Sequence, residues 1–345
     1  MTAGTQPLHW LGGFIADLPT PFDDRDGIDW TAFEMLCEHQ IASGATAIVV
    51  NETMGEASTL SAEEHRQIIR TAVKIARGRI AVIAGAGSNS TGQAMELTAL
   101  AEAEGADAIM SVVPYYNKPI QAGILAHFQT IAASTGLPIV LHDNPSRTMR
   151  EISEETLLRL SESPQFIGLN ESTGSVPRLF RLRSMLPAHF RLLCGSDANA
   201  VAYLGCGGDG CISMVANLFP DLCRRHYDCG MTGNLRASGN APSRLAALGI
   251  LLAEDSPVAA LKYGMSLLGF MRPKVRLPLV ELGANAREAI ALAMMAFGET
   301  DHDDKSSRSA GAQHKPCTAA AAKAASLRYR RSTGVKWSSS IRSQS

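Results

Sequence analysis

Short apolar runs alternate with longer stretches of helical spacing along most of the chain. Eight of the runs read as strands: Gly13–Leu18, Ala47–Val50, Ile80–Ala84, Ala108–Val113, Pro138–His142, Phe166–Leu169, Phe190–Cys194 and Gly210–Met214. They are mostly apolar on both faces, as parallel strands covered by helices should be. Between them, Ser61 to Ala76 opens on Ser-Ala-Glu-Glu, a capping box in which Ser61 and Glu64 satisfy each other's backbone. Thr91–Gly105 and Gln121–Gly136 each end on a glycine, the residue suited to a left-handed helix cap. Eight strand-plus-helix units predict an α/β fold, a (β/α)8 TIM barrel. A doubly wound sheet is the alternative. Gly85-Ala86-Gly87 follows the third strand, but Gly92 comes too late to complete a dinucleotide turn. Those glycines are read as a tight turn or as room for substrate.

Helical patterns continue after the eighth strand, at Leu222–Cys229, Ser243–Ala253, Val258–Leu268 and Asn285–Met295, more than one outer helix needs. The expected organisation is a barrel over 1–225, a C-terminal helical subdomain over 226–299 and a basic tail over 300–345. The tail is rich in Ser, Ala, Lys and Arg. With so few apolar residues it buries too little surface to offset its ordering entropy, which predicts disorder.

Composition narrows the function classes. Hydrophobic residues make up 46% and charged residues 19% of the 345, which excludes wholesale disorder. Residues 301–345 carry nine Lys or Arg and three Asp, a net +6 that leaves 1–300 at −7. A mildly acidic body gives no reason to expect a nucleic-acid partner. No apolar run has the length to span a bilayer, and Met1–His9 lacks the basic and apolar blocks of a secretory signal. The seven cysteines form no C-x-x-C pair and read as buried thiols of a reducing compartment, so a cytoplasmic location is expected. Cys206 and Cys211 lack the paired spacing of a zinc site.

In such a barrel the reacting groups lie at the carboxyl ends of the strands. Polar residues collect there: Asn51 to Glu56, Pro114 to Pro119, His142 to Thr148, Asn170-Glu171-Ser172 and Gly195-Ser196-Asp197. Polar strand ends after apolar strands point to a small-molecule pocket.

Three strings resemble the dihydrodipicolinate synthase and N-acetylneuraminate lyase family: Pro114-Tyr115-Tyr116-Asn117-Lys118-Pro119, Ala84 to Thr91, and Leu204 to Ser213 with its Gly207-Gly208-Asp209-Gly210. The resemblance runs from about Gly12 to about Leu282. It implies a barrel with a C-terminal helical region, a homo-oligomer (dimer or tetramer), and chemistry beside pyruvate or another 2-oxo acid through a lysine imine.

The resemblance also locates departures. The family's Gly-Ile-Lys-Glu reads Gly168-Leu169-Asn170-Glu171 here, so Asn170 takes the imine lysine's place. An amide nitrogen is delocalised into its carbonyl and does not condense with a ketone. Lys74, Lys118 and Lys262 do not replace it, since none is expected at a strand end facing the barrel mouth. The family's strand-five tyrosine is His142. In the 2-oxo acid loop, Glu52 and Met54 replace a glycine and a threonine, while Thr53, Gly55 and Glu56 are kept. Arg147 matches the carboxylate clamp, and its planar fork suits two-point contact. Tyr116 matches the tyrosine lent to a neighbouring subunit.

Three readings follow from Asn170. One is a non-catalytic paralogue that binds a ligand or partner. One is a lyase, acting on carbon–carbon or carbon–oxygen bonds, in which His142 moves the proton, Tyr116 and Thr53 relay it and Asn170 holds the carbonyl. Histidine titrates near 6.5, closer to neutrality than tyrosine. The third is metal assistance from Glu52, His142, Asp143 and Glu171, against which Glu171 matches a family position that holds no metal. The expected site is therefore catalytic His142, Tyr116, Thr53 and Asn170, with Arg147, Glu52, Met54, Gly55 and Ile212 binding a small 2-oxo or hydroxy acid, no metal and no cofactor.

Overall fold

In the computed structural model the described residues are 9–232 and 241–306, with backbone alone for 241–242 and 298–306. The strands are β1 (Gly13–Asp17), β2 (Ala47–Val50), β3 (Ala81–Gly85), β4 (Ala108–Val112), β5 (Ile139–Asp143), β6 (Phe166–Glu171), β7 (Arg191–Cys194) and β8 (Gly210–Ser213). The helices between them are α1 (Trp30–Ala42), α2 (Ala62–Ala76), α3 (Thr91–Ala103), α4 (Gln121–Ala132), α5 (Pro145–Thr148), α6 (Glu154–Ser161), α7 (Val176–Met185) and α8 (Ala200–Gly205). Beyond β8 come α9 (Pro220–Met231), α10 (Ala241–Ala253), α11 (Pro257–Leu267) and α12 (Ala284–Ser306). Each strand pairs in parallel with the next, and β8 closes on β1 through Gly13 and Gly210. The fold is thus the expected (β/α)8 TIM barrel.

All eight predicted strands are present. β6 runs two residues beyond its predicted end and so takes in Asn170 and Glu171. The capping box of α2 forms, with the Glu64 N–H donating to Ser61 Oγ at 3.2 Å and the Ser61 N–H to Glu64 Oε2 at 2.8 Å. α4 stops at Ala132, short of Gly136, because Ala133 already caps it in a right-handed conformation. The expected division after residue 225 falls inside α9, which packs on β1 and α8 as part of the barrel's outer ring. Backbone helix continues through Ser306, and the rest of the expected tail, 307–345, lies outside the described residues.

Two apolar layers hold the barrel. Leu11, Ile15, Ile83, Val140, Leu193 and Ile212 fill its interior, each at most 5% exposed, so the lumen is packed below the strand ends. Alternate residues of the same strands face the outer helices and form the larger cluster around Ile48, Phe128, Leu141 and Leu169. A third cluster joins α10, α11 and α12 to the barrel through Val215, Leu218 and Met54.

Polar ties fix the loop after β2. Lys262 of α11 is fully buried, pairs with Glu56 Oε1, donates to the Lys274 carbonyl at 3.0 Å and sits 4.0 Å over the Phe22 ring. Burial pulls this ammonium down to about 8 against the pull of Glu56. The Arg276 N–H donates to Glu56 Oε2 at 2.9 Å, and its guanidinium grips Glu64. Lys262 is thereby engaged by Glu56 and the Lys274 carbonyl, while Lys74 and Lys118 are exposed.

Candidate active site

Strand alternation sorts the polar residues at the barrel mouth. His142 and Asn170 are register partners on β5 and β6, and so are Asp143 and Glu171 one residue on. Successive side chains point to opposite faces, so the first pair and the second part company.

The outward pair is saturated. Arg178 of α7 donates to Asp143 Oδ2 at 2.6 Å, to Glu171 Oε1 at 3.3 Å and to the Ile152 carbonyl at 2.7 Å. Glu171 also accepts from the Thr173 N–H at 3.0 Å and the Ser175 N–H at 3.1 Å. Both carboxylates are 0% exposed. Asp143 and Glu171 are therefore parted from Glu52 and His142. This corrects the four-residue ligand set considered from the sequence, because period-two alternation carries two of its members outside the barrel.

The inward pair is different. His142 Nδ1 lies 2.9 Å from Glu52 Oε1, and His142 Nε2 lies 3.1 Å from Ser172 Oγ. Glu52 and His142 are 7% and 4% exposed, and Ser172 is half-buried. Thr53 Oγ1 donates to Glu52 Oε2 at 2.5 Å, and the Thr53 N–H donates to the same oxygen. Burial alone would raise the Glu52 carboxyl. The charge and hydrogen bond of His142, with the Thr53 donors, outweigh it and hold that carboxyl down to about 2. Glu52 is thus an acceptor only, which fixes a proton on His142 Nδ1 and leaves Nε2 facing Ser172.

Asn170 is buried beside this chain of bonds. Its Nδ2 has only the Met110 sulfur, at 3.9 Å, and its Oδ1 has no partner. Gly195 at the end of β7 makes the space: a Cβ there would stand 2.6 Å from both Asn170 Oδ1 and Ser172 Oγ. Asp17 closes β1 with Oδ1 unpartnered and Oδ2 accepting weakly from the Met54 N–H at 3.4 Å. Burial first, and the nearby Glu52 charge second, push the Asp17 carboxyl well above its ordinary range. Across β7 and β8, Asp197 is engaged by Ser213 Oγ and by the Met214 N–H at 3.0 Å.

Other expected site residues lie elsewhere. The Met54 side chain joins the seam with the C-terminal helices, so only its N–H faces the mouth. Gly55 is a packing glycine: its would-be Cβ meets Asn51, Glu52 and Leu18 backbone at 3.2–3.3 Å, and its carbonyl accepts from Thr20 Oγ1 at 2.7 Å. Ile212 belongs to the barrel filling. Arg147 is exposed on the short α5, its guanidinium makes no hydrogen bond or ion pair among the described residues, and its charge reaches Asp17. Tyr116 is 89% exposed at a positive φ of 69° and makes no hydrogen bond to Thr53 or His142 of its own chain. Gly85 and Gly87 leave room for backbone rather than substrate, since a Cβ on Gly85 would strike the Asn51 carbonyl at 1.9 Å.

Sequence reasoning missed Asp17, and it counted Ser172 among the polar strand ends without giving it a role. The signal for Asp17 is one charge inside an otherwise apolar strand, Gly13-Phe14-Ile15-Ala16-Asp17. Ser172 gives none, because its position against His142 depends on how β6 ends.

A family model described as the dihydrodipicolinate synthetase family matches residues 10–296. The chain belongs to that family. Among curated relatives, 4-hydroxy-tetrahydrodipicolinate synthase of Rhodospirillum centenum is 41% identical over 286 residues, covering 83% of this chain and 98% of the relative. The enzyme of the same name from Anaplasma marginale is 40% identical over 281 residues, covering 81% and 93%. The solved dihydrodipicolinate synthase of Acinetobacter baumannii, complexed with pyruvate, superposes with a TM-score of 0.81 at 36% identity, covering 84% and 99%. That of Aquifex aeolicus gives 0.80 at 35% identity, covering 83% and 98%. Among the described residues no helix is long and apolar enough to cross a membrane.

Proposed function

We propose that this family member is a lyase that holds a small 2-oxo or hydroxy acid without a covalent imine and moves its proton with His142. The observation that carries the reading is the buried Glu52–His142 pair at 2.9 Å, beside an asparagine at the end of β6. An amine is needed to condense with a ketone, and among the described residues no lysine stands at that strand end. Asn170 Nδ2 has no strong partner and is available to the substrate carbonyl oxygen. Arg147, exposed above the mouth with its guanidinium unpaired among the described residues, suits the carboxylate. Glu52 orients the imidazole and stabilises it when protonated, as a carboxylate beside a general base does.

A positioned histidine supplies on the order of 10²–10⁴ in rate. A lost covalent electron sink removes several kcal/mol, each ~1.4 kcal/mol being tenfold. Ordinary synthase turnover is accordingly expected near background, with activity confined to substrates whose proton is already acidic. Tyr116 and the family's oligomers suggest a dimer or tetramer, with Tyr116 completing a neighbour's site.

The test is a panel of 2-oxo acids and hydroxy acids with wild type and His142→Ala. Turnover present in the first and lost in the second is expected. Pyruvate with borohydride should leave the mass of the protein unchanged; a reduced adduct on any barrel lysine overturns the reading. Saturable binding without turnover would favour the ligand-binding paralogue.

A further inference from the structure

We infer that Glu52, His142 and Ser172 form a nucleophilic relay, and that the protein hydrolyses short-chain acyl esters through an acyl-Ser172 intermediate. Three features carry this. The first is the hydrogen-bonded series carboxylate–imidazole–hydroxyl, with steps of 2.9 Å and 3.1 Å. That is the geometry by which a weak hydroxyl nucleophile is activated: a base within reach of it, and a third group orienting the base. The relay is recognised by geometry and roles, whatever the fold or the order in the chain.

The second feature is access. Glu52 and His142 are buried, but Ser172 is half-buried at the rim, where its oxygen meets an incoming ester. The third is an oxyanion donor. The Asn170 carboxamide shares with Ser172 the space over Gly195, each within 2.6 Å of the point a Cβ would take. Neither end of that amide has a partner of ordinary length, so a half-turn presents Nδ2 to a developing oxyanion. The interior below is filled by Ile15, Val140, Leu193 and Ile212, which limits the acyl chain to a few carbons.

The steps balance with water as the co-reactant. Ser172 Oγ attacks the ester carbonyl carbon while its proton passes to His142 Nε2, and the carbonyl pair moves onto oxygen beside Asn170. Collapse breaks the bond to the leaving alkoxide, which takes the proton from His142. Water then attacks the acyl-serine carbonyl, gives one proton to His142 and releases the carboxylic acid as Ser172 recovers its hydrogen. No oxidant, metal or cofactor enters.

The experiment uses the full chain with p-nitrophenyl acetate as probe, and a fluorophosphonate with intact-mass and peptide mapping. The expected results are a burst of nitrophenol, one fluorophosphonate per chain on Ser172, and at least a roughly 100-fold loss of steady hydrolysis in Ser172→Ala. Labelling of the wild type needs no variant, so the inference stays testable if Ser172→Ala folds poorly. A Ser172 that stays unlabelled, or a variant hydrolysing as fast as wild type, overturns it. This relay shares His142, Glu52 and Asn170 with the 2-oxo acid reading and differs from it in the nucleophile, Ser172. Labelled Ser172 without 2-oxo acid turnover supports the relay alone, and 2-oxo acid turnover with unlabelled Ser172 refutes the relay alone.

Discussion

His142 and Asp143 are consecutive on β5, and Asn170 and Glu171 are consecutive on β6, yet they live in opposite surroundings. Outside the barrel, Asp143 and Glu171 share Arg178 and backbone donors until every strong acceptor is used. Inside, the Asn170 carbonyl oxygen and one Asp17 oxygen are buried without partners, and His142 spends its two nitrogens on a carboxylate and a hydroxyl. Buried polar groups are ordinarily bonded. A saturated cluster therefore reads as architecture, and an unsatisfied one as a site awaiting a ligand. The comparison teaches that polarity at a strand end is a poor guide until the hydrogen bonds have been followed to their ends.

The largest expected effects fall on opposite sides of this divide. His142→Ala should lower turnover by about 10²–10⁴, at a smaller cost in stability because Glu52 keeps the Thr53 donors. Arg178→Met should do the reverse, costing about 3–5 kcal/mol in denaturant unfolding because it leaves two carboxylates buried without their cation. If Arg178→Met kept its stability and lost turnover, the outer network would belong to the site and the contrast would break.

A smaller effect is expected at Arg147, whose guanidinium has no partner among the described residues. Arg147→Ala should raise KM for a carboxylate substrate by about tenfold, with the unfolding curve unmoved. Steady-state kinetics on the acid and its methyl ester would show whether the guanidinium is the clamp.

The smallest effect concerns the two inward acids, which should respond to pH with opposite sign. Glu52 titrates at about 2 when folded, below its ordinary 4.5. Its contribution to stability is complete above 4.5 and is lost as pH falls toward 2. Asp17 is raised when folded. The native state then holds a proton that the unfolded chain releases near 3.8, so its contribution declines as pH climbs from there to the raised value. Asp17→Asn should stabilise the protein at neutral pH. The gain should shrink in acid, and melting curves at several pH values would measure it. A destabilised Asp17→Asn would mean that the aspartate is held ionised by a partner.

Much of the barrel was legible in the chain. Apolar runs at Ala47–Val50 and Ala108–Val112 declare buried strands because parallel strands are covered on both faces. The Ser61–Glu64 box declares a helix start because both partners lie within one turn. The candidate site was legible only as a set of strand ends. His142, Glu52, Thr53 and Asn170 were found there, whereas Met54 and Ile212 proved to be packing residues and Ser172 was given no role. Local spacing says nothing of which way the last residue of a strand points once a bulge between Ile139 and Val140 has shifted the register of β5 on β6.

By itself, then, the sequence determined eight strands and their covering helices, since apolar periodicity and helix caps act over a few residues. It also determined that residue 170 is a carboxamide and not an amine, because that is a matter of covalent identity. Tertiary structure alone decided that Glu52, 90 residues away, would meet His142, that Asp143 would turn its back on it, and that Lys262 would be spent on Glu56. Those outcomes depend on barrel closure and on which buried charge finds a partner first, and neither is written in any local stretch of chain.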